Sequence, residues 1–231
     1  MSSYDAIAEL YDPWSASVVE DVAFYLEEAR RSGGPVVELG VGTGRIAVPI
    51  AADGTRVIGV DSSKGMLEVC ARRAALAGVD VDLRVGDLRE PPVTERVPLV
   101  ICPFRSLLHM HTDEDRRRVL ESVAKLLVPG GRFVFDVFAP GAKDIEKTHD
   151  RWLEREPGIY ERAVWDQEER TLTLTVRGAD RETTMALAWL GPEEWRALLE
   201  QAGFEVEACY GWFDRTPYEG DEDTVWITRR G

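Results

Sequence analysis

No apolar run in this 231-residue chain approaches the length of a membrane span, and the opening MSSYDAIAEL has neither the basic nor the apolar region of a secretory signal. A cytoplasmic protein with no membrane partner is expected. Cysteine is scarce. Cys70, Cys102 and Cys209 are odd in number, widely spaced and each set among mostly apolar neighbours, which argues against a disulfide frame or a zinc site and predicts core filling. Also lacking is any stretch that concentrates Arg and Lys with interleaved aromatics. At a formal net charge of -14 most of the surface would repel a phosphate backbone, so no nucleic-acid partner is expected. The acids are spread along the whole chain and read as a solubilising surface that names no ligand. No repeat or low-complexity tract appears, and the length suits one domain with at most a small appended element.

What is present is alternation. From Val36 to Asp136 the short runs PVVELG, TRVIGVD, VDVDLRVGD, VPLVICPF and GRFVFDVF alternate with helical stretches, which argues a parallel sheet covered on both faces. The stretch SSKGMLEVCARRAALAG opens on a serine cap and closes on Gly78, with Met66, Leu67, Val69, Cys70 and Ala74 at helical spacing. A second helix is expected in TDEDRRRVLESVAKLLVPGG, capped by Thr112 or Asp113 and stopped by Pro129 and Gly130. After about Ala139 the rhythm changes. IYERAVWDQEERTLTLTVRGADRETTMALAWL reads as three antiparallel strands with turns at Gln167 to Arg170 and Gly178 to Arg181. Alternation puts Tyr160, Arg162, Val164 and Asp166 on one face and Ile159, Glu161, Ala163 and Trp165 on the other. A helix in GPEEWRALLEQAG and two strands, FEVEACYGWF and DTVWITRR, complete the chain.

The run VVELGVGTG places glycines at 40, 42 and 44 directly behind the first strand, where a doubly wound sheet meets its ligand. Gly42, Gly44 and Ala47 with Asp61 downstream satisfy the loose dinucleotide fingerprint as well, so the glycines alone do not choose a ligand. Glu38 separates the readings. A carboxylate beside this turn repels a pyrophosphate and favours a cation, unless it is a paired core glutamate.

VVELGVGTG followed by VIGVD, RVGDL and LLVPGGRFVF resembles the class I S-adenosylmethionine-dependent methyltransferases of the small-molecule type, from about Tyr4 to the last strand except for the inserted segment. The resemblance implies an α/β, Rossmann-like, doubly wound sheet of seven mostly parallel strands with an antiparallel last strand, plus a small antiparallel insertion after strand 5. One domain is expected, with a helical cap over 1-35, a cofactor core over 36-140, the insertion over 150-190 as substrate lid or subunit contact, and a final helix and strands over 191-231. The implied cofactor is S-adenosylmethionine, with S-adenosylhomocysteine as product. Glu38, Gly40, Gly42 and Gly44 would surround its methionine part and Asp61 would accept from the ribose hydroxyls. Asp87 and Leu88, with Ser62 and Met66 across the site, would hold the adenine. Tyr4 and Tyr11 resemble N-terminal aromatics that cover the methyl-donor end, a hydrophobic staple being the alternative, and Phe104, after the fourth strand, is a further candidate cofactor-binding residue.

The segment CPFRSLLHMHTDED from Cys102 lies where members of the family contact the acceptor. His109 is the candidate that orients or deprotonates it, and His111 is expected nearer the following helix; a structural histidine bonded to a carbonyl is the alternative for each. Tyr11 and Arg105 complete the candidate catalytic set, Arg105 meeting an acid either of the acceptor or of the protein. The loop lacks the Asn/Asp-Pro-Pro-aromatic run of nucleobase amino-methyltransferases, and no metal-ligand cluster suggests a magnesium-dependent reaction. The expected function is methylation of nitrogen or oxygen on a small metabolite, with a homodimer possible. Methylation of a peptide or protein, a nicotinamide oxidoreductase and a non-catalytic cofactor-binding protein are the competing readings.

Overall fold

The computed structural model describes all residues except Met1, Ser17, Val18, Ala179 and Asp221, together with the side chain of Ser3. Runs rich in Val, Ile and Leu become the central strands because both faces of a parallel sheet are covered. β1 (Val36–Leu39) is buried at every position, and so, but for their ends or one residue, are β2 (Val57–Asp61) and β4 (Val97–Cys102). β3 (Asp82–Val85), β5 (Leu127–Phe138), β10 (Phe204–Tyr210) and β11 (Asp223–Arg230) complete a seven-stranded sheet of order β10-β11-β5-β4-β1-β2-β3. β11 runs antiparallel between β10 and β5, with Trp226 opposite Phe135, as expected of the last strand. Strand order reverses between β1 and β4, which pair in parallel at Val36 and Leu99, and the turns beyond their carboxyl ends frame a crevice there.

α2 (Glu20–Ser32), α3 (Ala47–Ala52) and α4 (Lys64–Ala77) cover one face with Phe24, Tyr25, Ile50, Leu67 and Cys70. α5 (Asp113–Leu126) and α7 (Pro192–Gln201) cover the other with Val119, Val123, Trp195 and Leu199. Ser63 caps α4 by accepting from Met66 N–H, and Gly78 ends it in the left-handed conformation. Thr112 caps α5 through Asp115 N–H. α5 stops at Leu126, before the expected Pro129 and Gly130, because Leu127 is already extended and buried as the first residue of β5. Cys70 and Cys102 are buried and unpaired, and Cys209 is half-buried.

The insertion is a separate sheet of four strands, one more than the sequence pattern indicates: β6 (Trp152–Glu156), β7 (Ile159–Asp166), β8 (Thr171–Gly178) and β9 (Arg181–Ala188). β6 reads as polar and stays largely exposed, so it carries no alternation to detect. Ile159, Ala163, Leu172, Leu174, Met185 and Leu187 face inward and join the core of the main sheet, which a freestanding four-stranded sheet could not supply for itself. A short 3-10 turn (Ser3–Ala6) and α1 (Ala8–Trp14) pack between α4 and the insertion strands β9 and β6, and α6 (Ala142–Thr148) leads from β5 into the insertion.

Fully buried Glu28 of α2 anchors the far side. Its carboxylate meets Arg132 of β5 at 2.7 Å, Arg215 at 2.5 Å and Arg31 at 3.3 Å. Glu28→Gln leaves three guanidinium groups without their shared anion and is expected to lower unfolding free energy by about 3 kcal/mol in urea titrations. A change near zero would show that solvent already screens these pairs.

Candidate functional site

The turn after β1 is shaped by glycine. Gly40 and Gly42 have φ of 73° and 53°, and a Cβ on Gly40 would lie 2.5 Å from Ser106 Oγ. The turn is tied to the end of β2: Gly40 and Val41 N–H donate to the Val60 carbonyl at 2.8 and 3.0 Å, and Gly42 N–H donates to Asp61 Oδ2 at 2.9 Å. Asp61 Oδ1 accepts from Ser63 N–H at 2.8 Å, and burial pushes its carboxyl above the ordinary value.

These elements border a cleft of about 210 Å3. The candidates Tyr4, Tyr11, Gly40, Gly42, Asp61, Ser62, Met66, Asp87, Leu88, Phe104 and His109 all line it, and so do Ser2, Ser106 and Met110, which motif reading does not reach. Asp87 is already engaged, because Arg89 donates to both its oxygens at 2.9 and 2.6 Å. Gly44 stands apart from the other glycines. It lies outside the cleft lining, and its hydrogen leaves room for Cys70, whose Sγ would collide with any Cβ there.

Glu38 sits beneath the cleft in a small recess shared with Tyr11, Gly40, Gly42, Arg45 and Phe104. It is 2 % exposed, and its Oε2 has no hydrogen-bond partner. Burial drives its carboxyl well above the ordinary range, with Arg45 opposing and Asp21 and Asp61 reinforcing the shift. The carboxylate expected at the edge of the turn is therefore a buried acid held toward its neutral form, with one oxygen short of a donor. Arg45 itself is held bidentately by buried Asp21, at 2.7 and 2.5 Å, with its guanidinium 4.9 Å from the Phe104 ring centre.

The N-terminal segment is clamped over this cleft by polar ties. Asp5 Oδ1 accepts from Ser63 Oγ at 2.6 Å and from Gly65 N–H at 3.1 Å, Thr43 Oγ1 donates to Asp12 at 2.6 Å, and Arg72 and Arg73 pair with Glu9 and Asp12. The acids at 5, 9 and 12 are one helical face in the sequence, the signal by which this clamp could have been found. Tyr4 and Tyr11 are thereby held edge to face at 5.9 Å.

A second cavity, of about 270 Å3, opens between the insertion and the loops after β4 and β5. Its walls are apolar in Phe138, Ala163, Trp165, Leu172, Leu174, Met185 and Leu187, with Asp144, Glu161, Glu222 and Asp223 among its polar groups. Tyr4, Phe104 and His109 line both cavities. Tyr11 lines only the first of them and Arg105 only the second. Arg105 meets an acid of the protein, Asp223 Oδ1 at 2.7 Å, and lies over the Phe138 ring. Trp165 is in the wall, while Trp189 packs behind it edge to face at 5.6 Å. Phe104 and Arg105 are non-glycine residues with φ of 53° and 63°, each costing of order 1–3 kcal/mol unless the surroundings hold it.

His109 lies at the junction, its Nε2 hydrogen-bonded to the Tyr4 hydroxyl at 2.9 Å. Burial, then the charge of His111, lowers its pKa from the ordinary 6.5 to about 4, so the ring is neutral at neutral pH. His111 Nε2 is bonded to the Ala186 carbonyl at 3.0 Å, in a structural role.

Two consequences are measurable. The unfolded chain takes up a proton on His109 below about pH 6.5 while the folded chain resists it until about pH 4, so this residue contributes stability above 6.5 that is lost across that window. In His109→Gln the drop in unfolding free energy between neutral pH and about pH 4 is expected to be smaller than in the wild type; an unchanged drop would refute the buried neutral ring. Gly44→Ala is expected to lower stability by about 1–3 kcal/mol in thermal unfolding, from overpacking against Cys70 and a left-handed backbone.

Residues 36–131 match the family model described as a methyltransferase domain. The dTDP-4-amino-2,3,4,6-tetradeoxy-D-glucose N,N-dimethyltransferase of Saccharopolyspora spinosa is 29% identical over 226 residues, 90% of this chain and 86% of that protein. The 27-O-demethylrifamycin SV methyltransferase of Amycolatopsis mediterranei is 28% identical over 236 residues, 89% of this chain and 85% of that one. The solved structure of the CcbJ methyltransferase from Streptomyces caelestis superposes with a TM-score of 0.87 at 26% identity, covering 100% of this chain and 98% of the other. A sheet of this order, opening on such a cleft and superposing over 100% of the chain on the CcbJ methyltransferase, supports placing the chain with the class I S-adenosylmethionine-dependent methyltransferases.

Proposed function

We propose that the chain methylates an amine nitrogen of a small, largely apolar molecule seated in the second cavity. The observation that carries this reading is His109: the histidine shared by both cavities is a weak base, its pKa lowered to about 4. A hydroxyl acceptor needs a base to take its proton, whereas an amine that arrives neutral needs only to be aligned. The acids Asp144 and Glu222 favour the approach of an ammonium, and the apolar walls suit the body that carries it. The relative from Saccharopolyspora spinosa, named for N,N-dimethylation of an amino sugar, is consistent with nitrogen.

The donor, when bound, supplies a methyl group made electrophilic by a sulfonium. On this reading Glu38, with its unpartnered oxygen, and the turn at Gly40 and Gly42 hold the methionine part. Asp61 accepts from the ribose, and Ser62, Met66, Asp87 and Leu88 enclose the adenine. Tyr4 and His109, hydrogen-bonded to each other, orient the acceptor nitrogen where the cavities meet. The insertion acts as a roof that keeps water from the acceptor, which displacement at a sulfonium favours.

Matched pairs such as phenethylamine and 2-phenylethanol, assayed for S-adenosylhomocysteine, test the proposal: amines are expected to be turned over and alcohols not, and the reverse would sink it. Asp61→Ala is expected to weaken S-adenosylmethionine by about 1.5–3 kcal/mol in calorimetry, the worth of hydrogen bonds to a charged acceptor. Trp165→Ala is expected to raise the acceptor KM while leaving donor affinity nearly unchanged. Normal acceptor kinetics with a smaller species in sedimentation would instead make the insertion a subunit contact.

A further inference from the structure

Phe104 and Arg105 stand consecutively in the left-handed region although neither is glycine, and the turn they form is closed locally by Ser106, whose N–H and Oγ donate to the Pro103 carbonyl at 3.4 and 2.9 Å. A second hold, on the two strained residues' own N–H groups, comes from β5. Asp136 Oδ1 accepts from Phe104 N–H at 2.8 Å and Oδ2 from Arg105 N–H at 3.1 Å, while the Tyr25 hydroxyl donates to Oδ1 at 2.6 Å. Asp136 is 5 % exposed and lines neither cavity.

We propose that Asp136 is a positioning residue for methyl transfer: by gripping two successive backbone N–H groups it fixes the loop whose side chains form the wall common to both cavities. This rests on the reading of the second cavity as the acceptor site. Only a carboxylate offers two acceptor oxygens in the fork that two adjacent donors require; an asparagine must turn its NH2 toward one of them. The loop so held sets Phe104 between the cavities, in edge contact with Tyr11 at 6.1 Å, and places Arg105 against Asp223. Ser106 comes so close to Gly40 that no side chain would fit on the turn there. A loop released by an ångström would misalign an acceptor without removing any group that touches the donor's ribose or adenine.

The test compares the wild type with Asp136→Asn in three measurements: amide hydrogen exchange at Phe104 and Arg105, calorimetric binding of S-adenosylhomocysteine, and turnover of the fastest amine of the panel above. Exchange at one or both amides is expected to accelerate, and kcat/KM for the amine to fall about tenfold to a hundredfold. Affinity for S-adenosylhomocysteine is expected to stay within about threefold, a split that general loss of structure would not give. Unchanged exchange would overturn the grip on the loop, and normal turnover despite faster exchange would overturn the positioning role. If no amine is turned over by the wild type, the amine reading fails while the exchange result still decides the grip. Tyr25→Phe, made in parallel in case the asparagine variant does not fold, removes the third donor and keeps both loop bonds. Its loop exchange and turnover are expected to stay near wild type, and lost turnover with an intact loop would refute the proposal.

Discussion

Four carboxyl groups, Asp21, Glu38, Asp61 and Asp136, are gathered at the carboxyl edge of the sheet, and the site is built by the ways in which they are satisfied. A buried acid without donors or a counter-charge is costly, so each recruits a different element. Asp21 takes the guanidinium of Arg45, which carries α2 onto the segment after the glycine turn. Asp61 takes two backbone N–H groups and closes the turn over β2. Asp136 takes two more and a tyrosine hydroxyl, and shapes the loop after β4. Glu38 alone is left short, at the base of the cleft. The protein satisfies the acids that shape the cavity and leaves the deficit in the recess where the proposed function seats the methionine part of the donor.

That arrangement makes the N-terminal segment part of the site. Tyr4 and Tyr11 come from elements too short to hold position by their own packing, and the clamp of Asp5, Glu9 and Asp12 on Ser63, Gly65, Thr43 and the arginines of α4 holds them across the cleft. The same segment reaches the insertion, where Trp14 donates to Glu161 at 3.1 Å, so one short stretch closes the cleft on one side and borders the second cavity on the other.

The layered fold was legible because its signals are local. Period, caps and turn residues mark the strands and helices from β1 to α5, and three of the four insertion strands alternate as expected. β6 was not legible, since an edge strand with little buried surface has no pattern. Within the site, the residues of the turn and of the ends of β2 and β3 follow from motif positions, and all but Gly44 and the recessed Glu38 line the cleft. What could not be read is pairing across long separations: Asp136 with a loop 32 residues before it, and Arg105 with Asp223, 118 residues on. Glu38 is legible as decisive, but the charges that act on it, Arg45, Asp21 and Asp61, are linked to it by no motif.

Burial also explains why the shared histidine leans toward alignment. An imidazole works as a base near neutral pH when a carboxylate or solvent stabilises its protonated form. His109 has a tyrosine hydroxyl as its partner instead, and its pKa moves down, away from the range where it would collect a proton. The acids of the second cavity cannot reverse this: Glu161 is bonded to Arg155 and Trp14, and Asp223 to Arg105. With Glu161 and Asp223 engaged and its histidine neutral, the junction fits the proposed transfer, in which geometry does the work and the acceptor brings its own lone pair.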